Sequence, residues 1–339
     1  MTNTSSPEES IYTVVGGGAI GGTLAAHLAA GGHPVQIVDT DTAHVAAIRQ
    51  HGLKIDSPNG TLKTRLPAFT PDEAPDELGP VLLAVKSQAT EAAMDWVGPR
   101  LRTDGYVASM QNGLNEATIA DHIGRNRTVI AFVDLFADLV EPGVIKDGGI
   151  GTIAVGEFAG GTSNRVCDLA EALSHWGTPI VSDNVSGFLW SKLAFGAMLT
   201  ASSFIDKDMS TVISENRTSM LELAREVFAI SDALEFRLEG FDAFAPDKYR
   251  RTAPATTVDD AFDSLCEWLA GQTKTRSGIW RDINVRRRPT EVPAHYEPVL
   301  RIAEQHGISV PRLRTMVDVI RELEREEAVM GDHLMERIA

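Results

Sequence analysis

The chain predicts an α/β fold, a Rossmann-type doubly wound parallel sheet followed by an all-helical C-terminal domain. Three observations carry that expectation. A Gly16-x-Gly18-x-x-Gly21 turn joins an apolar β-type run, Ile11 to Val15, to an alanine-rich helix, Thr23 to Ala30. Strand and helix signals then alternate through the first half, the pattern of a parallel sheet covered on both faces. From about Asn184 the periodicity turns helical. The expected layout is a flexible tail at 1–10, a dinucleotide-binding domain at 11–184 and a helical substrate domain at 185–339, with a cleft between the two domains.

Each glycine of the first turn has a physical task. Gly16 permits the tight turn, Gly18 lets a pyrophosphate approach the backbone, and Gly21 lets helix and strand pack closely. Around them, Ala19 and Ile20 bring their amides to the positive end of the helix dipole, where a phosphate would sit. A glycine-rich turn between any strand and helix is the bland alternative. The next strand decides against it. Pro34 to Val38 ends at Asp39, 18 residues beyond Gly21, where a carboxylate accepts hydrogen bonds from a ribose diol.

A helix over Thr42 to Arg49 and a hairpin around Ser57-Pro58-Asn59-Gly60 follow. The run Val81 to Val85 is a buried strand with Lys86 at its end, and Tyr106 to Met110 delivers Gln111-Asn112-Gly113. Thr128 to Val133 is a further strand, followed by β-type segments near Val144 and Ile153. Ligands of open α/β sheets collect outside the carboxyl ends of strands, and Gly16, Asp39, Lys86 and Asn112 are all placed there. Taken singly, Lys86 could be a solvated lysine and Asn112-Gly113 a common turn. In the second half, helices are expected at Val185 to Ser203, Arg217 to Glu235, Val258 to Leu269, Tyr296 to His306 and Arg312 to Glu326, with a loop at Glu239 to Pro254.

Composition excludes several classes. At 43% hydrophobic and 23% charged, the 339 residues are those of a globular chain and not of a disordered one. A net charge of −16 argues against a nucleic-acid partner, which needs basic stripes. Two distant cysteines, Cys167 and Cys266, point to a reducing cytoplasm. No apolar run reaches membrane-spanning length, and Met1 to Ser10 has no apolar signal-peptide core. Nine scattered histidines, His27 and His33 among them, form no metal-binding spacing, and there is no GxSxG elbow.

Lys192 is the outstanding candidate for proton transfer. It lies on the long apolar helix, with Gly196 and Thr200 on the same face, where small residues leave a groove. A lysine there could snorkel to solvent. In a partly dry cleft it could instead donate a proton to a carbonyl oxygen as hydride arrives. Glu291 either serves as a first-turn acid of a helix that Thr290 caps, or faces the cleft and pairs with Lys192 or a cofactor ribose. The triplet Arg286-Arg287-Arg288 fits a solvated or ion-paired surface, although a carboxylate substrate could use one fork of it.

Taken together, the chain resembles the ketopantoate reductase (2-dehydropantoate 2-reductase) family, within the 6-phosphogluconate-dehydrogenase-like group. The resemblance spans nearly the whole chain. It rests on Gly16 through Gly21, Val85-Lys86, Gln111-Asn112-Gly113, Trp190-Ser191-Lys192-Leu193, and Ser277 through Pro289-Thr290-Glu291. It implies hydride transfer from a nicotinamide cofactor to the carbonyl of a 2-oxo acid. Lys192 would be the proton donor, Asn112 would contact cofactor and substrate, Lys86 would border the cofactor, and Glu291 would hold the ribose or the lysine. Substrate contacts would fall to Asn112, Lys192, Gly196, Thr200 and Ser277. A homodimer is also implied.

Four departures from the family pattern matter. The family's asparagines four and eight residues after the lysine are Gly196 and Thr200, and the second serine of its Ser-Ser pair is Gly278. Its Asp-x-x-x-Gly-Arg loop is one residue longer here, Asp282 being followed by Val285-Arg286-Arg287-Arg288. Where NADPH-using members carry arginine after the second strand, this chain has Val38-Asp39-Thr40-Asp41, so NAD(H) is expected over NADP(H). The redox core is thus intact while the substrate contacts are altered, and ketopantoate is not the expected substrate. A mostly oxidised NAD pool also allows alcohol oxidation as the working direction. Competing readings are an imine reductase or amine dehydrogenase, favoured by a groove widened at Gly196, and a non-catalytic NAD(P)H sensor, which would not need Lys192 and Glu291.

Overall fold

The computed structural model of the chain describes residues 11–272 and 274–339; the tail expected at 1–10 lies outside them. Two compact units divide between Val185 and Ser186.

In the first unit, β1 (Tyr12–Val15), α1 (Ala19–Ala30), β2 (Val35–Val38), α2 (Thr42–His51), β3 (Leu53–Ser57), β4 (Gly60–Thr64), β5 (Ala68–Phe69) and β6 (Val81–Leu83) come first. They are followed by α3 (Thr90–Val97), β7 (Val107–Ser109), α4 (Glu116–Ile123), β8 (Thr128–Glu141), β9 (Val144–Glu157), α5 (Asn164–Leu173) and β10 (Pro179–Val181). The strands form one sheet in the order β4-β3-β9-β8-β7-β6-β1-β2-β5, with β10 paired to β9. Its centre, β2-β1-β6-β7-β8, is parallel, with Val14 opposite Ile37 and Leu82, Leu82 opposite Ala108, and Ala108 opposite Val129.

Successive residues of a strand face opposite sides, and here both sides are covered. Val14, Leu82 and Ala108 join the core under α1, α2 and α5, whereas Val15, Leu83 and Val107 join the core under α3 and α4. The chain leaves β1 for β2 on one side and reaches β6 on the other. That reversal is the topological switch point, the usual ligand crevice of such sheets.

The hairpin at Ser57–Gly60 forms as expected, with Ser57 opposite Gly60. The region after Thr128 differs from expectation. Instead of one short strand and two segments, β8 and β9 are 14-residue antiparallel partners joined at Pro142-Gly143, Gly143 having φ 78°. Asp134, Asp138, Lys146 and Asp147 interrupt the apolar run, and the ladder carries register shifts, so the strand signal fades where pairing continues.

The second unit is helical: α6 (Val185–Ser202), α7 (Met209–Glu215), α8 (Arg217–Ala233), α9 (Ala255–Ala270), α10 (Gly278–Asn284), α11 (Val292–Gln305), α12 (Pro311–Glu324) and α13 (Asp332–Glu336). Helix α8 packs on α11 and α12, and α7 packs on α9. The buried Glu226 carboxylate of α8 accepts from the amides of Arg312 and Leu313, capping α12 from a neighbouring helix. The Glu239–Pro254 loop contributes core: Phe241, Phe244 and Tyr249 are buried, and the first two pack on Phe195 of α6. Among the described residues no helix is long and apolar enough to cross a membrane.

Candidate functional site

At the switch point the three glycines of the turn differ in what the fold asks of them. Gly16 has φ 94°, and a Cβ there would lie 2.7 Å from the Val85 amide nitrogen, so the turn nests against the strand end of β6. Gly21 lies inside α1, and a Cβ there would fall 1.9 Å from the Gly16 carbonyl oxygen. Gly18 is unlike both. It precedes α1 with an ordinary φ of −63°, and a Cβ there would meet nothing within 4 Å. No neighbour among the described residues calls for glycine at this position. The open space lies before the first-turn amides of Gly18, Ala19 and Ile20, which have no intrahelical partner because the first helical bond runs from Gly22 N to Gly18 O.

Asp39, at the end of β2, closes over this turn. Its Oδ2 accepts from the Gly17 amide at 2.6 Å and its Oδ1 from the Asp41 amide at 2.8 Å. Each oxygen keeps a lone pair for a further donor. Asp41 then caps α2, accepting from Ala43 and His44 amides. His44 is fully buried in the turn of α2 beneath the glycines, with Nε2 2.8 Å from the Gly17 carbonyl oxygen and Nδ1 accepting from the Gly143 amide at 3.0 Å.

Lys86 and Asn112 stand at the ends of β6 and β7, on two loops joined by a polar network. Gln111 donates to the Val85 carbonyl (3.0 Å) and to Thr90 Oγ1 (2.7 Å), and Thr90 donates to Asn115. Asn115 and Ser87 both donate to the Asn112 carbonyl, at 2.7 and 2.8 Å. The Asn112 backbone is therefore fixed while its side chain is exposed. Lys86 sits immediately before a single 3-10 turn, Ser87–Ala89.

In the second unit Lys192 is partly exposed on α6, between the buried Ser191 and Leu193. Gly196 and Thr200 follow on its face, but they leave less room than the sequence suggests. The buried Tyr296 of α11 brings its hydroxyl to 3.0 Å from where a Gly196 Cβ would be, and donates to the Leu193 carbonyl at 2.7 Å. Thr200 is buried and donates to the Gly196 carbonyl. The widening expected at Gly196 is thus offset by a phenol. Ser277 is buried and caps α10, accepting from the Trp280 amide.

Glu291 immediately precedes α11, with an oxygen 3.9 Å from His295 Nε2. The Thr290 hydroxyl accepts from the Val292 amide, so the threonine does serve the helix start. The arginine triplet is an ion-paired surface: Arg286 and Arg288 both reach Asp282, and Arg287 reaches Glu326. Arg287 adopts φ 51°, a left-handed conformation that glycine takes without cost.

Burial also perturbs one carboxyl near Asn112. Glu116, at the start of α4, is pushed up to about 7 by desolvation, with the amides of Glu116 and Asn115 and the charge of Arg125 acting against the shift. A carboxyl pKa raised on folding contributes stability below its unfolded value of 4.5, and that contribution is lost as pH rises through about 7. Glu116→Gln should therefore be more stable than the parent at pH 8, by up to about 3 kcal/mol, and not at pH 5. Urea melts at the two pH values check this; an equal effect at both would contradict it.

The glycine turn, Asp39, Lys86 and Asn112 lie at strand ends and Lys192 on the apolar helix, as the sequence leads one to expect, whereas Ser87, Thr90, Asn115, His44 and Tyr296 are not singled out by it. The first three had a faint signal, as small polar residues flanking strand ends. His44 and Tyr296 sat on helical periods that signalled only core. Among the described residues no three His, Cys, Asp or Glu side chains gather as a metal set.

Comparison with known proteins covers both units. The family model described as ketopantoate reductase PanE/ApbA matches residues 12–160, and that of its C-terminal domain matches 184–324. A 2-dehydropantoate 2-reductase of Halobacterium salinarum is 25% identical over 92% of this chain and 98% of its own. One from Mesorhizobium japonicum is 27% identical over 92% of this chain and 97% of its own. Among solved structures, a D-mandelate dehydrogenase with NADH and anilino(oxo)acetate shares the fold at TM-score 0.78 and 18% identity, covering 94% of this chain and all of that one. A PanE/ApbA family ketopantoate reductase from Ralstonia eutropha does so at TM-score 0.77 and 22% identity, covering 94% and 99%. The glycine turn at the sheet's switch point, the helical second unit and two family models over most of the chain converge: the protein belongs to the ketopantoate reductase family of NAD(P)-dependent oxidoreductases.

Proposed function

We propose that this chain transfers hydride between NAD(H) and a 2-oxo or 2-hydroxy acid other than ketopantoate, with Lys192 as general acid and base. The observation that carries the cofactor reading is Gly18. A glycine that its own fold does not require, placed before free helix amides, leaves room for a ligand. When bound, the nicotinamide supplies hydride for reduction and accepts it for oxidation. The first-turn amides of α1 hold the pyrophosphate, Asp39 accepts from the ribose hydroxyls, and Lys86 and Asn112 border the nicotinamide half. Lys192 gives its ammonium proton to the carbonyl oxygen as the C–H bond forms, and its neutral amine takes the hydroxyl proton in reverse. Glu291 orients Lys192 or the ribose.

The substrate reading rests on the face of α6 beyond Lys192. Asparagines at 196 and 200 would offer carboxamides; here the Thr200 and Tyr296 hydroxyls give their protons to backbone carbonyls. Losing a substrate hydrogen bond costs about 1–3 kcal/mol where a polar group is left unpaired. D-Mandelate dehydrogenase, which shares the fold, is named for a hydroxy acid, and this supports a wider class of acids. The amine and imine alternative loses its main support, because Tyr296 occupies the space that glycine leaves.

Cofactor preference gives a direct test. A carboxylate some 4 Å from a 2′-phosphate repels it by roughly 1–4 kcal/mol, so kcat/KM with NADH should exceed that with NADPH by about tenfold or more. Asp39→Asn should narrow that ratio. Equal use of both cofactors by the parent would refute the assignment of Asp39.

A further inference from the structure

We propose that His44 is a positioning residue that locks the Gly17–Gly18 peptide in its phosphate-receiving orientation; the proposal rests on the nucleotide-site reading above. The peptide between two glycines is among the easiest in a protein to flip, because neither side has a Cβ to restrict it. In a trans peptide the carbonyl and the following N–H point in opposite directions. Holding the Gly17 oxygen inward therefore turns the Gly18 N–H outward, toward the open space before α1. A flip would reverse both, aiming a carbonyl at a phosphate and withdrawing a donor.

The geometry around His44 opposes that flip. Gly143 N–H can only donate, so the Nδ1 that accepts it at 3.0 Å carries no proton. The remaining ring proton is then on Nε2, which donates to the Gly17 oxygen at 2.8 Å. The Gly143 turn between β8 and β9 thus fixes the tautomer, and the tautomer fixes the peptide. The preceding peptide is held as well, by Asp39 Oδ2 on the Gly17 amide. Two side chains five residues apart clamp both peptides of Gly17, and His44 is only 1% exposed, so water does not compete for either bond.

Two substitutions separate the bonds. Gln places its amide nitrogen near Nε2 and keeps the bond to Gly17; Asn places its oxygen near Nδ1 and keeps only the bond to Gly143. NADH titration of the full-length protein should find His44→Gln within about twofold of the parent. His44→Asn should bind about three- to tenfold more weakly, with kcat at saturating NADH unchanged in both. A structural role alone would instead lower the melting temperature without separating the two variants in affinity. Equal affinities for NADH, or tighter binding by His44→Asn, would overturn the proposal. If the variants do not fold, nitrogen-15 NMR of the parent imidazole decides: a proton on Nε2 alone supports the lock, and one on Nδ1 overturns it. A parent that binds neither NADH nor NADPH would remove the nucleotide-site reading and this inference with it, an outcome distinct from unequal binding by the variants.

Discussion

Lys192→Ala is expected to lower kcat by about 10²–10⁴-fold while leaving NADH affinity within about twofold of the parent. The magnitude is that of a lost general acid, and the selectivity follows from the proposed role in proton transfer and not in nucleotide binding. Lys192 belongs to α6 in the helical unit, whereas the glycine turn, Asp39 and Asn112 belong to the sheet unit. An interaction made only as the carbonyl oxygen gains charge affects kcat and kcat/KM alike. Steady-state kinetics beside a fluorescence titration of NADH separates these quantities. Turnover that survives the substitution would remove Lys192 from the chemistry; lost NADH binding would make it a cofactor ligand instead.

Substitution of the two later glycines of the turn should give opposite failures. Gly21→Ala would put a methyl 1.9 Å from the Gly16 carbonyl oxygen, a backbone atom that cannot swing aside. Overpacking of this kind costs about 3 kcal/mol or more, far above the roughly 1 kcal/mol that alanine gains over glycine in an open helix. That variant should melt early. Gly18→Ala meets nothing within 4 Å and has an ordinary φ, so its stability should stay within about 0.5 kcal/mol of the parent. Its NADH affinity should nonetheless fall at least about tenfold, because the added methyl would stand where the proposed pyrophosphate approaches the amides. Thermal melts and NADH titration on both variants form the test. A stable Gly18→Ala that binds NADH as tightly as the parent would mean that Gly18 faces no ligand.

The sheet unit was legible from sequence because local signals and global order agree there. The glycine turn, the apolar runs at Val14 and Leu82, and Asp39 at the end of β2 each follow a short-range rule. The long β8–β9 hairpin was legible only at its apolar ends, since charged residues at 134, 138, 146 and 147 break the alternation that pairing then restores. Lys192 stood out as a charge on an apolar helix. What fills the face beside it did not, because Tyr296 lies about a hundred residues away and reaches Gly196 only through the packing of α11 on α6. His44 was hidden for the same reason: its partners, Gly17 and Gly143, come from distant segments.

The most direct measurement is the loss of reduced-nicotinamide absorbance with NADH, and then NADPH, across a panel of 2-oxo acids that includes ketopantoate. NADH oxidation with another 2-oxo acid, at a kcat/KM at least about tenfold above that for ketopantoate, is the predicted result. Ketopantoate as the best substrate with NADPH as the preferred cofactor would contradict both the reading of Asp39 and that of the Gly196–Tyr296 face.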